Sequence, residues 1–96
     1  MAYLSFEQVT ATSSVKDSSD LTIPVKATHA ELQASGNNVA YTMDGSTDPT
    51  VSSGMTLVTT NAPKLFLIED IRNIRFIRFG ASDGNLNIHY LAGRDV

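Results

Sequence analysis

The stretch THAELQASGNNVAYTM, Thr28–Met43, carries the pattern that decides the fold class. In its first half, Ala30, Leu32 and Ala34 alternate with polar residues, which is the two-residue period of a half-buried β-strand. After the turn-forming letters SGNN, a second run again places apolar side chains at every other position. The two runs predict a β-hairpin over residues 28–43, with its tip at Gly36–Asn38.

Three further stretches predict strands. KLFLI, Lys64–Ile68, and IRFIRF, Ile74–Phe79, are short runs rich in branched and aromatic residues. In NLNIHY, Asn85–Tyr90, apolar and polar residues alternate, and the preceding Asp83–Gly84 is a dipeptide that tight primed turns favour. The arginines of IEDIRNIRFIRF recur at every third position, which also admits a helix, but the short length favours a turn at Glu69–Asn73 followed by a strand.

Short strands separated by turn signals predict an all-β fold. The expected architecture is a small antiparallel β-sandwich, of jelly-roll or Ig-like type, or a small barrel. The first twenty residues differ from the rest, because AYLSFEQVTA has the composition of a strand and TSSVKDSSD after it is polar. They are either an edge strand with a loop or an arm that packs on a neighbouring subunit. The chain is therefore divided into an N-terminal strand or arm with its linker, residues 1–20, and a β-sandwich domain, residues 21–96.

Composition excludes several classes of function. A net charge of −3 with only seven Lys and Arg argues against a nucleic-acid-binding surface. The absence of cysteine rules out disulfides and thiol chemistry. The most apolar run, Leu65–Ile68, is far too short to cross a membrane, and the N-terminus lacks the pattern of a signal peptide. We expect neither a nucleic-acid partner nor a membrane partner.

The loop YTMDGSTDPT, Tyr41–Thr50, concentrates carboxylates and hydroxyls around one turn. It is no EF-hand, because Met55 stands where the twelfth-position glutamate belongs. An irregular ion site using Asp44 and Asp48 stays open as an alternative. The favoured interpretation is structural: Asp44 and the following glycine make the turn, the hydroxyl residues bond to the local backbone, and Pro49 ends strand pairing.

Catalytic and metal sites are not indicated. His29 and His89 both fall on the polar faces of their predicted strands, and a metal needs three or four convergent ligands. No Gly-x-Ser-x-Gly elbow and no phosphate-binding glycine loop is present. We expect no enzyme activity and no cofactor.

The predicted strand Ile74–Phe79 is unusual because each face combines two apolar residues with one arginine. A strand of a two-layer sandwich is usually apolar on one face only. Aromatic residues and arginine are enriched in interface cores, although arginine stems covering an exposed phenylalanine would explain the same pattern. The resulting candidates for a protein interface lie in this strand and in the N-terminal strand: Arg75, Phe76, Arg78, Phe79, Leu4 and Phe6.

Two resemblances suggest a function. YTMDGSTDPT resembles the YTxDGSxPT turn of small β-sandwich modules attached to glycoside hydrolases. From His29 to Tyr90, the loop DGSTDPTVSSGMTL, the strand IRNIRFIRF and the closing strand LNIHY resemble a family of short tailed-phage virion proteins.

The second resemblance implies a structural protein located in the virion, as a head decoration, neck or tail component. Its partners would be other virion proteins and further copies of itself in a homo-oligomer. The first implies, as the alternative, a carbohydrate-binding module in which Tyr41, Asp44 and Asp48 hold a sugar.

Overall fold

Two four-stranded antiparallel sheets make up the fold in the computed structural model, which describes residues 2–93. The strands are β1 (Ala2–Ala11), β2 (Lys16–Asp17), β3 (His29–Ser35), β4 (Val39–Thr42), β5 (Met55–Leu57), β6 (Lys64–Leu67), β7 (Arg75–Arg78) and β8 (Gly84–Ala92). A short 3-10 turn, Ser18–Asp20, follows β2, and a four-residue helix, α1 (Ile68–Ile71), joins β6 to β7. The predicted all-β sandwich is confirmed.

The order of the strands is that of a jelly roll. Sheet A has the order β1-β8-β3-β6 and sheet B the order β2-β7-β4-β5. The first four strands pair with the last four in reverse, β1 with β8, β2 with β7, β3 with β6 and β4 with β5. This is one long hairpin rolled into two layers, so the jelly-roll alternative fits and the Ig-like one does not.

Side-chain alternation places one face of each sheet in a common core. In β3, and in β8 as far as Tyr90, every second residue is buried, as the sequence predicted; Leu91 after it is buried as well. Burial of these apolar side chains is the main favourable contribution to folding. The largest fully buried side chains are Tyr90, Phe76, Leu32, Ile71, Ile74, Leu86, Ile88 and Val39.

The predicted hairpin over residues 28–43 is wrong. β3 belongs to sheet A and β4 to sheet B, so Gly36–Asn38 carries the chain from one sheet to the other. The primed turn expected at Asp83–Gly84 is wrong for a similar reason, because β7 and β8 lie in different sheets and Gly84 does not have a positive φ. Alternation shows which face of a strand is buried, but it does not show which strand is the neighbour.

The first twenty residues are part of the sandwich, which corrects the division of the chain at residue 20. β1 pairs with β8 from Ala2 to Ala11, with a register shift between Tyr3 and Ser5, and Ala11 is fully buried. The polar segment after it contributes β2 to sheet B, followed by a turn whose Asp17 carboxylate accepts hydrogen bonds from Ser19. These residues are thus an edge strand and a loop with its own structure, rather than a separate arm.

The segment from Ile68 to Arg78, for which a helix and a turn followed by a strand were both considered, contains a short helix and then a strand. The predicted turn is a single helical turn, α1, and the residues after it form strand β7 as expected, so the helical interpretation of that strand is wrong. Within residues 2–93 the structure contains no helix with the length and apolar character needed to cross a bilayer.

The side chain of Asn37, in the connection from β3 to β4, forms hydrogen bonds to a second connection between the sheets. Its Nδ2 donates hydrogen bonds to the carbonyl oxygens of Phe79 (3.0 Å) and Ser82 (2.6 Å), in the connection between β7 and β8. We predict that Asn37→Ala lowers the free energy of unfolding by about 1–3 kcal/mol, because the carbonyl of Phe79 loses a partly buried hydrogen bond and that of Ser82 an exposed one. Urea unfolding measures this, with the exposed Asn61→Ala as a control expected to change stability by less than about 0.5 kcal/mol. Equal effects of the two substitutions would contradict this role of Asn37.

Candidate functional site

The interface candidates in β7 are engaged within the domain itself. Phe76 is fully buried in the core, so its side chain is not available to a partner. β7 is also an inner strand of sheet B, with β2 on one side and β4 on the other. These placements correct the expectation that β7 presents a docking surface.

Arg75 holds the long connection between β4 and β5. Its guanidinium donates to the carbonyl oxygens of Gly45 (3.0 Å) and Ser46 (2.9 Å) and forms an ion pair with Asp48 at 2.7 Å. At the other end of β7, the amide of Gly80 donates to the carbonyl oxygen of Val51 at 2.7 Å. The connection is therefore bonded at both ends of β7.

This connection covers the outer face of sheet B. Ile77 lies between its two attachment points and is only 5% exposed, although alternation points it away from the core residue Phe76. Pro49, in the middle of the connection, is buried as well. The apolar residues on both faces of β7 are thus explained by a loop of the same chain.

The two remaining candidates, Arg78 at the end of β7 and Phe79 directly after it, are partly buried. Arg78 forms an ion pair with Asp83 at 2.9 Å, and its Nε is buried without a hydrogen-bond partner among the described residues. The amide of Phe79 donates to the carbonyl oxygen of Asn38 at 3.0 Å. Both residues therefore stabilise the end of the sandwich where the chain crosses between the sheets.

The loop after β4 is organised by Asp44. One carboxylate oxygen accepts from the amides of Ser46 (3.0 Å) and Thr47 (2.8 Å), and the other accepts from the Thr47 hydroxyl (2.5 Å). The hydroxyl of Thr47 and these two amides lower the pKa of Asp44 to about 2. This is the side-chain-to-backbone turn that the structural interpretation predicted.

The three residues proposed to hold a sugar in this loop already make contacts within the domain. Tyr41 is 5% exposed, and its ring packs edge-on against Phe66 at 5.9 Å in the interior. Asp44 holds the turn and Asp48 holds Arg75. Tyr41 is therefore not accessible to a ligand, and both carboxylates already have partners within the loop and β7.

In contrast, the outer face of sheet A carries large exposed apolar side chains on its two edge strands, Tyr3 and Phe6 on β1 and Leu65 and Leu67 on β6. The strand register arranges its residues in rows that cross the sheet from β1 through β8 and β3 to β6. Two rows are mainly apolar or aromatic, and the next two carry amides and hydroxyls. In order, the rows are Tyr3–Leu91–His29–Leu67, Phe6–His89–Glu31–Leu65, Gln8–Asn87–Gln33 and Thr10–Asn85–Ser35.

Aromatic contacts order the apolar end of this face. The ring of Tyr3 stacks on His89 with centroids 4.1 Å apart, and Phe6 contacts the same imidazole edge-on at 6.0 Å. The Tyr3 hydroxyl donates to Glu31 at 3.2 Å, and this bond raises the pKa of Tyr3. Phe6 is nevertheless 60% exposed and Leu65 50% exposed.

The candidates Leu4 and Phe6 thus belong to the exposed part of the molecule, as expected for contact residues. Leu4 lies at the irregularity of β1, beside the first row, and is 40% exposed. The sequence reasoning missed Leu65 and Leu67 on β6. Alternation within KLFLI could have indicated that these two residues point to the same side.

Among residues 2–93, no three His, Asp or Glu side chains come together as a metal ligand set. His89 is part of the aromatic cluster, and the Nδ1 of His29 lies 2.9 Å from the Thr28 hydroxyl. A small cleft of about 90 Å³ on the outer face of sheet A is lined by Phe6, Glu31, Gln33, Pro63, Asn87 and His89.

Comparison of the chain with protein-family models, with curated proteins and with solved structures finds no match. The candidate site is therefore defined by its geometry alone.

Substitution of two phenylalanines tests the assignment of Phe76 to the core and of Phe6 to the surface. Phe76→Ala should lower the free energy of unfolding by about 3–5 kcal/mol, because it leaves a cavity in the core. Phe6→Ala should change it by less than about 0.5 kcal/mol, because the ring is mostly in solvent. Denaturant unfolding of the two variants measures both values. A cost for Phe6→Ala as large as that for Phe76→Ala would contradict the assignment.

The pKa of Asp44 makes part of the stability depend on pH. Its value is lower in the folded chain, about 2, than the ordinary 3.8, so the contribution of the carboxylate is present above pH 3.8 and is lost as the pH falls to about 2. We predict that Asp44→Ala destabilises the protein at pH 6 and that its difference from the unmodified chain shrinks at pH 2. Urea unfolding at both pH values measures this difference. A difference that does not change with pH would refute the role of the ionised carboxylate.

Proposed function

We propose that this protein is a non-enzymatic structural component of a phage virion and that it acts through protein–protein contacts of the outer face of sheet A. One observation carries the proposal: the outer face of sheet B is covered by a loop of the same chain, whereas that of sheet A exposes Tyr3, Phe6, Leu65 and Leu67. Large exposed apolar side chains gathered on one face of a sheet are typical of interaction sites.

The composition of this face supports a protein partner. Aromatic residues are enriched and charged residues depleted at the cores of protein interfaces. Among the described residues, Glu31 is the only Asp, Glu, Lys or Arg at an outer-face position of sheet A, and its carboxylate already accepts from Tyr3. Amides and hydroxyls fill the other end of the face, and they suit the polar rim of an interface.

The topology is compatible with the proposal without identifying the function. Jelly rolls occur in viral capsid proteins and in lectins, and one fold serves many functions. The resemblance of the loop after β4, of β7 and of β8 to short tailed-phage virion proteins favours a virion protein over a lectin. It supports a head decoration, neck or tail component located in the virion.

The alternative, a carbohydrate-binding module, now depends on different residues from those first considered. The cleft beside Phe6 combines an exposed aromatic ring with the side chains of Glu31, Gln33 and Asn87. A ring face with a few polar groups is a usual composition for a small-molecule site. The cleft holds only about 90 Å³, which makes it the weaker of the two proposals.

The virion proposal is tested by placing the protein in particles. We predict that an antibody against the chain labels purified phage particles at a constant position in electron micrographs. Phe6→Asp should abolish incorporation, because a charge in an apolar contact is left without a partner. The isolated variant should remain folded, since Phe6 is 60% exposed.

Met55→Asp is the matched control, because Met55 is 62% exposed but lies on β5 of sheet B. It should be incorporated normally. The protein's absence from particles would refute the proposed function. Equal loss of incorporation for both variants would refute the assignment to sheet A.

A further inference from the structure

We infer that the outer face of sheet A packs against the same face of a second copy of the chain, about a two-fold axis that runs parallel to the strands between β8 and β3. The inference rests on the proposed function, since it names the first partner that such a structural protein would contact. It uses the same surface and adds its occupant, its geometry and its stoichiometry.

The size of the face fits a dimer contact. With a rise of about 3.3 Å per residue and a strand spacing of about 4.8 Å, the four strands of sheet A cover a footprint of about 480 Å². Two such faces bury close to the ~1,000 Å² that separates biological interfaces from incidental contacts, before the relief of the side chains is counted. A face-to-face contact uses this whole area at once.

The order of residues across the sheet makes the face complementary to itself. Rotation about the proposed axis places β1 over β6 of the second copy and β8 over β3 of the second copy, while each row stays level with its own row. In the second row, Phe6 then meets Leu65 of the second copy, and His89 meets Glu31 of the second copy. In the first row, Tyr3 meets Leu67 of the second copy in the same way.

Charge and hydrogen bonding favour this pairing over repulsion. The chain has a net charge of −3, which opposes contact between copies on most of its surface. At the proposed contact the single carboxylate, Glu31, lies opposite an imidazole instead of another carboxylate, so like charges are kept apart. In the third row Asn87 meets Gln33 of the second copy, and two amides can donate to and accept from each other.

The packing follows the usual geometry of stacked sheets. Two sheets packed face to face lie about 10 Å apart with their strands within about 30° of each other, and side chains of both faces interdigitate between them. Phe6 and Leu65, each at least half exposed, provide side chains that fill this gap.

Sedimentation velocity of the purified chain tests the stoichiometry. We expect a dimer at micromolar concentration, and we expect Phe6→Glu to weaken dimerisation at least about 30-fold, which is the size of an interface hot spot. Leu65→Glu should have the same effect from the opposite edge of the sheet. Met55→Glu is the control, because it adds the same charge at an equally exposed position on sheet B and should leave the dimer intact.

Crosslinking tests the axis. The chain has no cysteine, so Phe6→Cys and Leu65→Cys each introduce a single thiol. A short bifunctional maleimide is needed, because stacked sheets are too far apart for a direct disulfide. Mixing the two variants should give a crosslinked heterodimer, whereas each variant alone should crosslink poorly.

The outcomes separate this inference from the proposed function. A monomeric chain, a dimer that Phe6→Glu and Leu65→Glu leave intact, or efficient crosslinking of Phe6→Cys with itself would overturn the inference. A monomer that binds another virion protein or an oligosaccharide through Phe6 would overturn it too. A monomeric chain that still labels phage particles leaves the proposed function standing, and a dimer absent from particles leaves only the inference standing.

Discussion

The arrangement of the sandwich depends on one corner, where Asn37 joins the two crossings between the sheets. Its amide bonds two carbonyls of the β7–β8 connection, and Gly84 packs so closely there that a Cβ would lie 2.7 Å from the carbonyl oxygen of Asn37. Only glycine fits such a contact without a shift of the backbone. Because the corner fixes where the chain leaves sheet A after β3 and where it returns to that sheet at β8, it also fixes how the inner faces of the two sheets meet.

That rolled arrangement makes the two outer faces unequal. The connection between β4 and β5 is the one that starts and ends in the same sheet among the described residues, so it is free to fold back over its own sheet. Arg75 holds the connection in this position by donating to two of its carbonyls and by pairing with Asp48. Because this ion pair is partly exposed, it contributes more to the orientation of the loop than to the stability of the fold. Between residues 2 and 93, sheet A has no corresponding loop, because its strands are linked only through sheet B. The exposed face is thus a consequence of topology as well as of composition.

The sequence predicted the strands better than their partners. Alternation in β3 and β8 correctly identified their buried faces, and Asp44 was correctly interpreted as a turn residue, because both signals are local. The neighbours of each strand depend on the corner at Asn37, whose tertiary bonds leave no periodic signal. β7 illustrates the difficulty: its apolar residues on both faces correctly indicated that both faces are covered, but the cover is a loop held by Arg75 instead of a partner protein. β2 was missed because two residues in a polar segment are too few to show a pattern.

The edges of sheet A explain why its face, and not its backbone, is the surface suited to contact. An exposed edge strand can add a strand of another chain and continue without limit. In β1 this is opposed by the Lys16 amine, which donates to the carbonyl oxygen of Thr10 at 2.5 Å, and by the register shift between Tyr3 and Ser5 that interrupts a regular ladder. The opposite edge, β6, has four residues and follows Pro63, so it offers little to pair with. A face-to-face contact about a two-fold axis closes after two copies, whereas edge addition would stay open. The same devices that protect the edges therefore favour the face proposed for the dimer, where association would stop at two copies.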